Sequence, residues 1–459
     1  MIAAMIFATG QVIFSDVTAQ LGLKLGNSAA CWVDLNNDGW DDLITGGKVW
    51  LNKEGKSFAE GQSVGSVVAA DFDNDGWVDL FSWSQLKLFR GNGEGKFQEV
   101  PLPELPKTVS RGACWGDFNT DGFVDLYVGG FENWNDQVTY PDLVLMNQQG
   151  KSFELAWQET KYRARGVTSC DYDADGDLDV YVSNYRLMPN RLWLNNGNGK
   201  FSGVASERQA LATSPGFGGG HSIGAAWGDF DSDGRWDLFA GNFAHVDNRG
   251  DQPKSRFLRQ FAKGTFEDLG TCGVFYQESY ASPSVADFNN DGSLDLYFTT
   301  VYATASFGRK NYPVLFQNGG KFKFDDVTQA VGLEQQPATY QAAWSDFDND
   351  GDMDLVTGGK LFANQGASGD WIKLKLVGQE KINRSAVGAQ VRITVGEKVI
   401  TRQVEAGTGE GNQNSSTLHF GLGNTNGKVD VEILWPGGKR QAVRNLDAQA
   451  LHTISAKPQ

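Results

Sequence analysis

An all-β fold made from seven copies of one supersecondary unit is what this sequence predicts, and three observations predict it. An acidic string of the form D-x-[DN]-x-D-G-x-x-D occurs seven times, beginning at Asp34, Asp71, Asp117, Asp171, Asp229, Asp287 and Asp346. Short β-branched and aromatic runs follow it, as in D-L-Y-V-G from Asp125, D-V-Y-V-S from Asp179 and D-L-Y-F-T from Asp295, and such runs read as strands. The chain also holds 57 Gly and 12% aromatics, a composition that suits many short strands joined by tight turns. Successive copies start 37 to 59 residues apart, near the period of propeller blades.

Each full copy reads as four strands: one entering the acidic loop, one leaving it, a third ending in Asn or another polar residue, and a fourth around a Phe. The third and fourth are visible as Leu88-Phe89 then Lys96-Phe97, and as Leu315-Phe316 then Lys321-Phe322. The seventh copy stops after Asn364, without a fourth strand. Its missing piece stands at the other end of the chain, where Val12 to Thr18 matches Phe322 to Thr328. An N-terminal strand that pairs into the last blade would close the ring and remove its open edges. The fold predicted is a seven-bladed β-propeller over residues 11–366 with a small C-terminal β-domain over 371–459, whose strands include Val391 to Val395 and Val429 to Trp435. Residues 1–10 read either as the end of a secretory signal, though without a basic n-region, or as a lead into the first strand.

The acidic string has the chemistry of a hard-cation loop. Ca²⁺ takes 6 to 8 oxygens at about 2.3 to 2.6 Å, and alternate side chains of a tight loop converge on one point. The expected ligands are Asp34, Asn36, Asp38 and Asp42 with the carbonyl of Trp40, then Asp71, Asp73, Asp75 and Asp79 with Trp77. The third and fourth copies supply Asp117, Asn119, Asp121 and Asp125 with Phe123, and Asp171, Asp173, Asp175 and Asp179 with Asp177. The fifth and sixth supply Asp229, Asp231, Asp233 and Asp237 with Arg235, and Asp287, Asn289, Asp291 and Asp295 with Ser293. The seventh supplies Asp346, Asp348, Asp350 and Asp354 with Asp352. An EF-hand begins alike but needs Glu at its twelfth position and helices on both sides; here that position holds Thr45, Ser82, Val128, Val182, Ala240, Phe298 or Thr357. About seven Ca²⁺ are therefore expected, and they would bring the formal charge of −16 to about −2.

That negative charge, with a pI near 4.7, argues against a nucleic-acid partner, which needs a clustered basic surface. No run approaches the roughly 18 apolar residues of a membrane span. Cys31 and Cys114 stand three residues before a loop Asp, where other copies carry Val68, Ala226, Ser284 and Ala343, and read as small buried strand residues. Cys170 and Cys272 add no zinc-ligand spacing.

Loops of the A-x-W-x-D-F-D-N-D-G-D-x-D-L style resemble the FG-GAP and VCBS repeats of integrin-α-type propellers. N-R-S-A-V-G-A-Q-V from Asn383, E-A-G-T-G-E-G-N-Q from Glu405, L-H-F-G-L-G from Leu418 and W-P-G-G-K from Trp435 resemble an ASPIC/UnbV domain. Together they are similar to the cartilage acidic protein family and its bacterial relatives. The resemblance implies calcium binding and an extracellular or periplasmic location.

Function is then expected to be binding or adhesion toward a protein or glycan ligand, by a monomer. A polysaccharide lyase or hydrolase on the same scaffold is the alternative. Against catalysis, only four His are present, at no triad-like or metal-ligand spacing, and G-x-S-x-G and H-E-x-x-H are absent. Ligand contacts are expected on the ring face opposite the calcium loops. Arg111 and Arg165, six residues before a loop Asp, would form a cationic centre there, with His221 and Tyr340 on the same rim and Trp134 and Tyr302 on long loops. Arg249-Gly250-Asp251 is a chance-level adhesion tripeptide, and Asn383 and Asn414 begin N-x-S sequons.

Overall fold

The computed structural model describes residues 13–247, 250–262, 264–425 and 427–458. The candidate signal segment 1–10 and Arg249 lie outside the described residues.

Seven four-stranded antiparallel sheets account for the chain up to Asn364. The strand entering each acidic loop is the first of its sheet: Cys31–Val33, Val67–Ala70, Ser110–Gly116, Ala164–Cys170, His221–Gly228, Tyr280–Ala286 and Ala342–Ser345. Each packs against the entering strand of the next sheet, and the seventh packs against the first. These strands are rich in Gly, Ala, Ser and Cys, which lets each entering strand come close to its neighbours. Cys31, Cys114 and Cys170 are buried in them as free thiols, as the repeat alignment suggested for the first two. Bulk is placed between sheets instead. The second loop residue is Leu35, Phe72, Phe118, Tyr172, Phe230, Phe288 or Phe347, all buried. Trp32, Trp115, Trp227 and Trp344 occupy the position two before the loop Asp and are buried as well. Trp32 stacks on Phe347 of the seventh copy with ring centroids 6.4 Å apart.

The seventh sheet is completed from the N-terminus. Phe14–Asp16 lies antiparallel to Lys360–Asn364, with Phe14 opposite Asn364 and Asp16 opposite Phe362. Phe14 is buried against Phe288 and Trp344, so the strand adds core as well as an edge. Deleting residues 1–20 is therefore expected to expose the Lys360–Asn364 edge and produce aggregates in size-exclusion chromatography. A monomeric, cooperatively melting truncation would refute this role.

From Asp370 the pattern changes. Leu418–Gly423, Asp370–Val377 and Leu451–Ser455 form a three-stranded sheet, and Lys398–Gln403, Gln390–Val395, Lys428–Leu434 and Arg440–Asp447 a four-stranded one. They share a core that includes Ile372, Leu374, Val391, Ile393, Phe420, Val431, Ile433 and Trp435. The connections between second and third strands are short in the first, second and seventh sheets. In the third and fifth they carry small hairpins, Glu132–Asn133 with Val138–Thr139 and Val246–Asp247 with Gly250–Asp251. The sixth carries a 3₁₀ turn at Ser306–Gly308, the only helix among the described residues.

Candidate metal centres and the strap between the entering strands

All seven acidic loops have one conformation. Their fourth residues, Asn37, Asn74, Thr120, Ala174, Ser232, Asn290 and Asn349, have φ of 56–60°, and the Gly at position six has φ of 85–101°. Two left-handed residues so close together curl the backbone around a centre, and Gly adopts the second at no steric cost. In the second loop Asp71 accepts the amides of Asp75 (3.2 Å) and Gly76 (2.8 Å). Asp79 ties the loop to its sheet, accepting the amides of Phe72 (2.9 Å) and Gly91 (2.8 Å). The same bonds recur in the other copies, for example Asp34 with Asp38 and Gly39 and Asp42 with Leu35 and Asn52.

Positions one, three and nine bring their carboxylates within 4.8 Å of one another in four loops: Asp71, Asp73 and Asp79; Asp171, Asp173 and Asp179; Asp229, Asp231 and Asp237; Asp346, Asp348 and Asp354. The first, third and sixth loops carry Asn36, Asn119 and Asn289 at position three, which offers an oxygen without a charge. The acid at position five turns to its own backbone, as where Asp75 accepts the amide of Trp77 (2.8 Å). Burial, aided by the neighbouring acids, pushes Asp42 and Asp79 up to about 8 and Asp71, Asp117, Asp171, Asp229 and Asp287 up to about 7. Bare carboxylates held this way resist ionising together. A hard divalent cation removes that penalty, so the donor set fits Ca²⁺.

The C-terminal segment seats on this acidic face. Residues 372–376 alternate, with Ile372, Leu374 and Leu376 turned to its own core. Lys373 and Lys375 turn to the acidic loops and meet Asp346 at 2.8 Å and Asp34 at 2.9 Å. Arg384 and Arg402 lie 3.8 Å from Asp71 and Asp287. Cations of the C-terminal segment thus face the first acid of the first, second, sixth and seventh loops. The sequon residues face inward: the Asn383 amide donates to the carbonyl of Val387 and that of Asn414 to Glu405.

The glycine-rich run from Glu405 threads between the entering strands as a strap. Trp115 N donates to the carbonyl of Ala406 (3.1 Å), Gly409 N to Ala225 (3.1 Å), Gln413 N to Ala30 (2.9 Å) and Ser415 N to Trp344 (3.0 Å). The Gln413 side chain both accepts from and donates to the backbone of Ala69. Glycines on both sides permit the approach: a Cβ on Gly166 would lie 2.2 Å from the carbonyl oxygen of Gly409.

At the turn of the strap, Glu410 meets Arg165. Its Oε1 accepts from Arg165 Nε (2.8 Å) and Nη2 (2.6 Å), and both side chains are buried. This corrects the expectation of an open cationic centre: Arg165 is 5% exposed and committed to an internal ion pair. His221 is buried too, stacked edge-on against Tyr185. Arg111 is exposed over the Phe131 ring, and Tyr340 is half-buried beside Arg165. Trp134 is 48% exposed, with the Arg186 guanidinium 3.5 Å from its ring centroid, and Tyr302 is 54% exposed. The sequence reading missed Glu410, since nothing local marks it as the partner of an arginine 245 residues away.

Comparison with known proteins agrees with the motifs. The FG-GAP-like repeat model matches residues 71–128 and 171–240, and the ASPIC and UnbV model matches 379–459. The all-β chain thus carries matches to FG-GAP-like repeats followed by a match to the ASPIC and UnbV model. Among curated proteins it is similar to cartilage acidic protein 1 of Mus musculus, 28% identical over 308 residues. The Homo sapiens protein of that name is 26% identical over 302 residues. These matches take in 64% and 63% of this chain but only 45% and 43% of the relatives, so the chain spans under half of their length. Similar solved structures include an Agrocybe aegerita lectin specific for non-reducing terminal N-acetylglucosamine, with TM-score 0.44, 15% identity, and coverage of 78% of this chain and 94% of that one. The V. cholerae biofilm matrix protein Bap1 gives TM-score 0.35 and 12% identity, with coverage of 96% and 71%.

Proposed function

We propose that this chain is a seven-bladed β-propeller over residues 11–366, stiffened by about seven Ca²⁺ and capped on its calcium face by the β-domain of residues 371–459. It acts outside the cytoplasm as a binding or adhesion module for a protein or glycan. The observation that carries this reading is the division of the ring's two faces. One is filled by the acidic loops and the C-terminal segment, while the other carries the long connections with the exposed aromatics Trp134 and Tyr302, and the exposed Arg111 over the Phe131 ring. Rigid scaffolds that project long loops from one face concentrate ligand contacts there. Exposed aromatic rings and an exposed guanidinium suit a ligand with a carboxylate, either an acidic glycan or an acidic peptide. Arg165 and His221 support this rim from beneath and leave the contact to Arg111, Tyr340, Trp134 and Tyr302.

A glycan array probed with the purified protein, followed by a polysaccharide-cleavage screen, tests binding against catalysis. The lyase or hydrolase alternative draws on Glu410, a buried acid that desolvation holds above the usual carboxylate range despite the Arg165 beside it. For the binding reading, Arg111→Ala is expected to weaken capture of an array-identified acidic ligand about tenfold, as loss of one charge-assisted contact does. Melting temperature and calcium content should not change. Unaltered capture would move the site elsewhere.

A further inference from the structure

Two adjoining cavities lie on the calcium-loop side, away from the rim, and one of them is walled in part by the fourth and fifth acidic loops. One, of about 280 Å³, lies against the four-stranded C-terminal sheet and is lined by Gln390, Arg392, Glu432, Leu434 and Arg440 among others. The second, of about 320 Å³, is lined by Tyr172, the loop acid Asp173, Arg235, Trp236, Gln260 and again Arg392. Arg392 stands in both walls, so they form one cleft between that sheet and the fourth and fifth acidic loops.

Strand register places the polar groups. In Gln390–Val395, Val391 and Ile393 are buried in the C-terminal core, which leaves Gln390 and Arg392 on the opposite face. Across the ladder Arg392 pairs with Glu432 and Gln390 with Leu434, which in turn pairs with Arg440. Arg392 and Arg440 therefore share a face. The acid between them, Glu432, is drawn outward, with Arg444 at 3.7 Å. Among the described residues no acid lies within salt-bridge distance of Arg392 or Arg440. Arg392 is half-buried, so its guanidinium has given up part of its hydration with no anion in return.

The walls hold unsatisfied groups of both kinds. The Tyr172 hydroxyl is a buried donor and Gln390 Oε1 a buried acceptor, each without a hydrogen-bond partner. Six of the seven loops have Phe or Leu where the fourth has Tyr172, so that hydroxyl is peculiar to this cleft. A bare inorganic anion would use donors alone and fill little of the space. A sugar acid needs more: a two-pronged donor for its carboxylate, mixed donors and acceptors for its hydroxyls, and room for one ring.

We propose that this cleft binds an anionic saccharide unit. Arg392 takes the oxyanion by its paired N–H groups, Arg440 guards the outer end, and Tyr172 and Gln390 address hydroxyls. A uronate and a sulfated sugar share the oxyanion on a ring, and the test separates them. This site lies on the calcium-loop side and does not depend on the rim.

Saturation-transfer NMR and calorimetry on the full chain in millimolar calcium, with glucuronate, galacturonate, glucose 6-sulfate, glucose and inorganic sulfate as probes, test the proposal. At least one uronate or the sulfated sugar is expected to bind, with uronate preference marking a carboxylate site and the reverse a sulfate site. Glucose and sulfate should bind at least about tenfold more weakly. Arg392→Ala should lower affinity about tenfold or more and Arg392→Lys by less, because lysine keeps the charge without the fork. If Arg392→Ala misfolds by circular dichroism, Arg440→Ala supplies the second reading, with a severalfold loss expected. No binding of any sugar acid, equal binding of sulfate, or unchanged affinity in the Arg392 variants would each overturn the proposal.

Discussion

Chelating calcium is expected to lower the melting temperature by tens of degrees or to abolish the cooperative transition. Ions that bind only the folded chain stabilise it by mass action, about 2.7 kcal/mol for one site at a hundredfold excess over its Kd. Several such sites together match the whole stability of an ordinary domain, about 5–15 kcal/mol. The loops also have no cheap metal-free state, because position one is a buried carboxylate tied to its own loop's amides and position nine one tied to its sheet. Calorimetry in chelator against millimolar calcium checks this, and equal midpoints would sink the calcium reading. Asp173→Ala or Asp348→Ala should each lose about one ion per chain by elemental analysis.

The metal-free protein should respond to pH in an unusual direction. Asp42 and Asp79, raised to about 8 by burial, bind protons in the folded state that the unfolded chain, titrating near 3.8, releases. In the window between those values the native state holds more protons, so its stability falls as pH rises. In chelator, lowering the pH from about 8 to 5.5 should therefore raise the melting temperature. In calcium the same change should not stabilise, since protons compete with the ion. A chelated sample whose stability falls over that interval would show that these acids ionise freely when bare.

How much of this was legible in the sequence depended on whether the cause was local. A repeated loop carries its own signal, because Asp at one and nine, Asp or Asn at three and Gly at six are each required by the loop itself. The Phe14–Asp16 strand was legible for a related reason: the repeat told what was missing after Asn364 and Val12 to Thr18 matched it. The seating of the C-terminal segment was not. Lys373 and Lys375 fall on the polar side of an alternating strand, and a polar side reads as solvent-facing, whereas here it faces Asp346 and Asp34. The run E-A-G-T-G-E-G-N-Q was readable as a motif, but its role was not. Its glycines answer those of other strands, such as Gly166 and Gly224, which no window of sequence puts side by side. The same blindness made Arg165 look like a free cation.

Arg165→Ala is expected to be the most damaging single substitution at the rim, costing about 3–5 kcal/mol, because it leaves Glu410 buried without its cation. The loss should spread beyond the pair. Glu410 sits in a tight turn closed by Thr408 N to the carbonyl of Asn412 (2.8 Å) and the reverse bond (3.1 Å). The neighbouring Asn412 fixes the first and seventh sheets through the amide of Ala30 (2.9 Å) and the carbonyl of Tyr340 (2.8 Å). Releasing the anchor should therefore loosen the strap along the ring and raise amide exchange in the entering strands. For the same reason, removing residues 371–459 is expected to destabilise the ring and not to leave it intact. The double variant Arg165→Met with Glu410→Leu separates charge from packing: it should recover most of the stability, since a well-packed apolar pair often equals a buried ion pair. An Arg165→Ala protein that melts like the parent would mean that the pair anchors nothing, and a double variant as unstable as the single one would assign the loss to packing instead of charge.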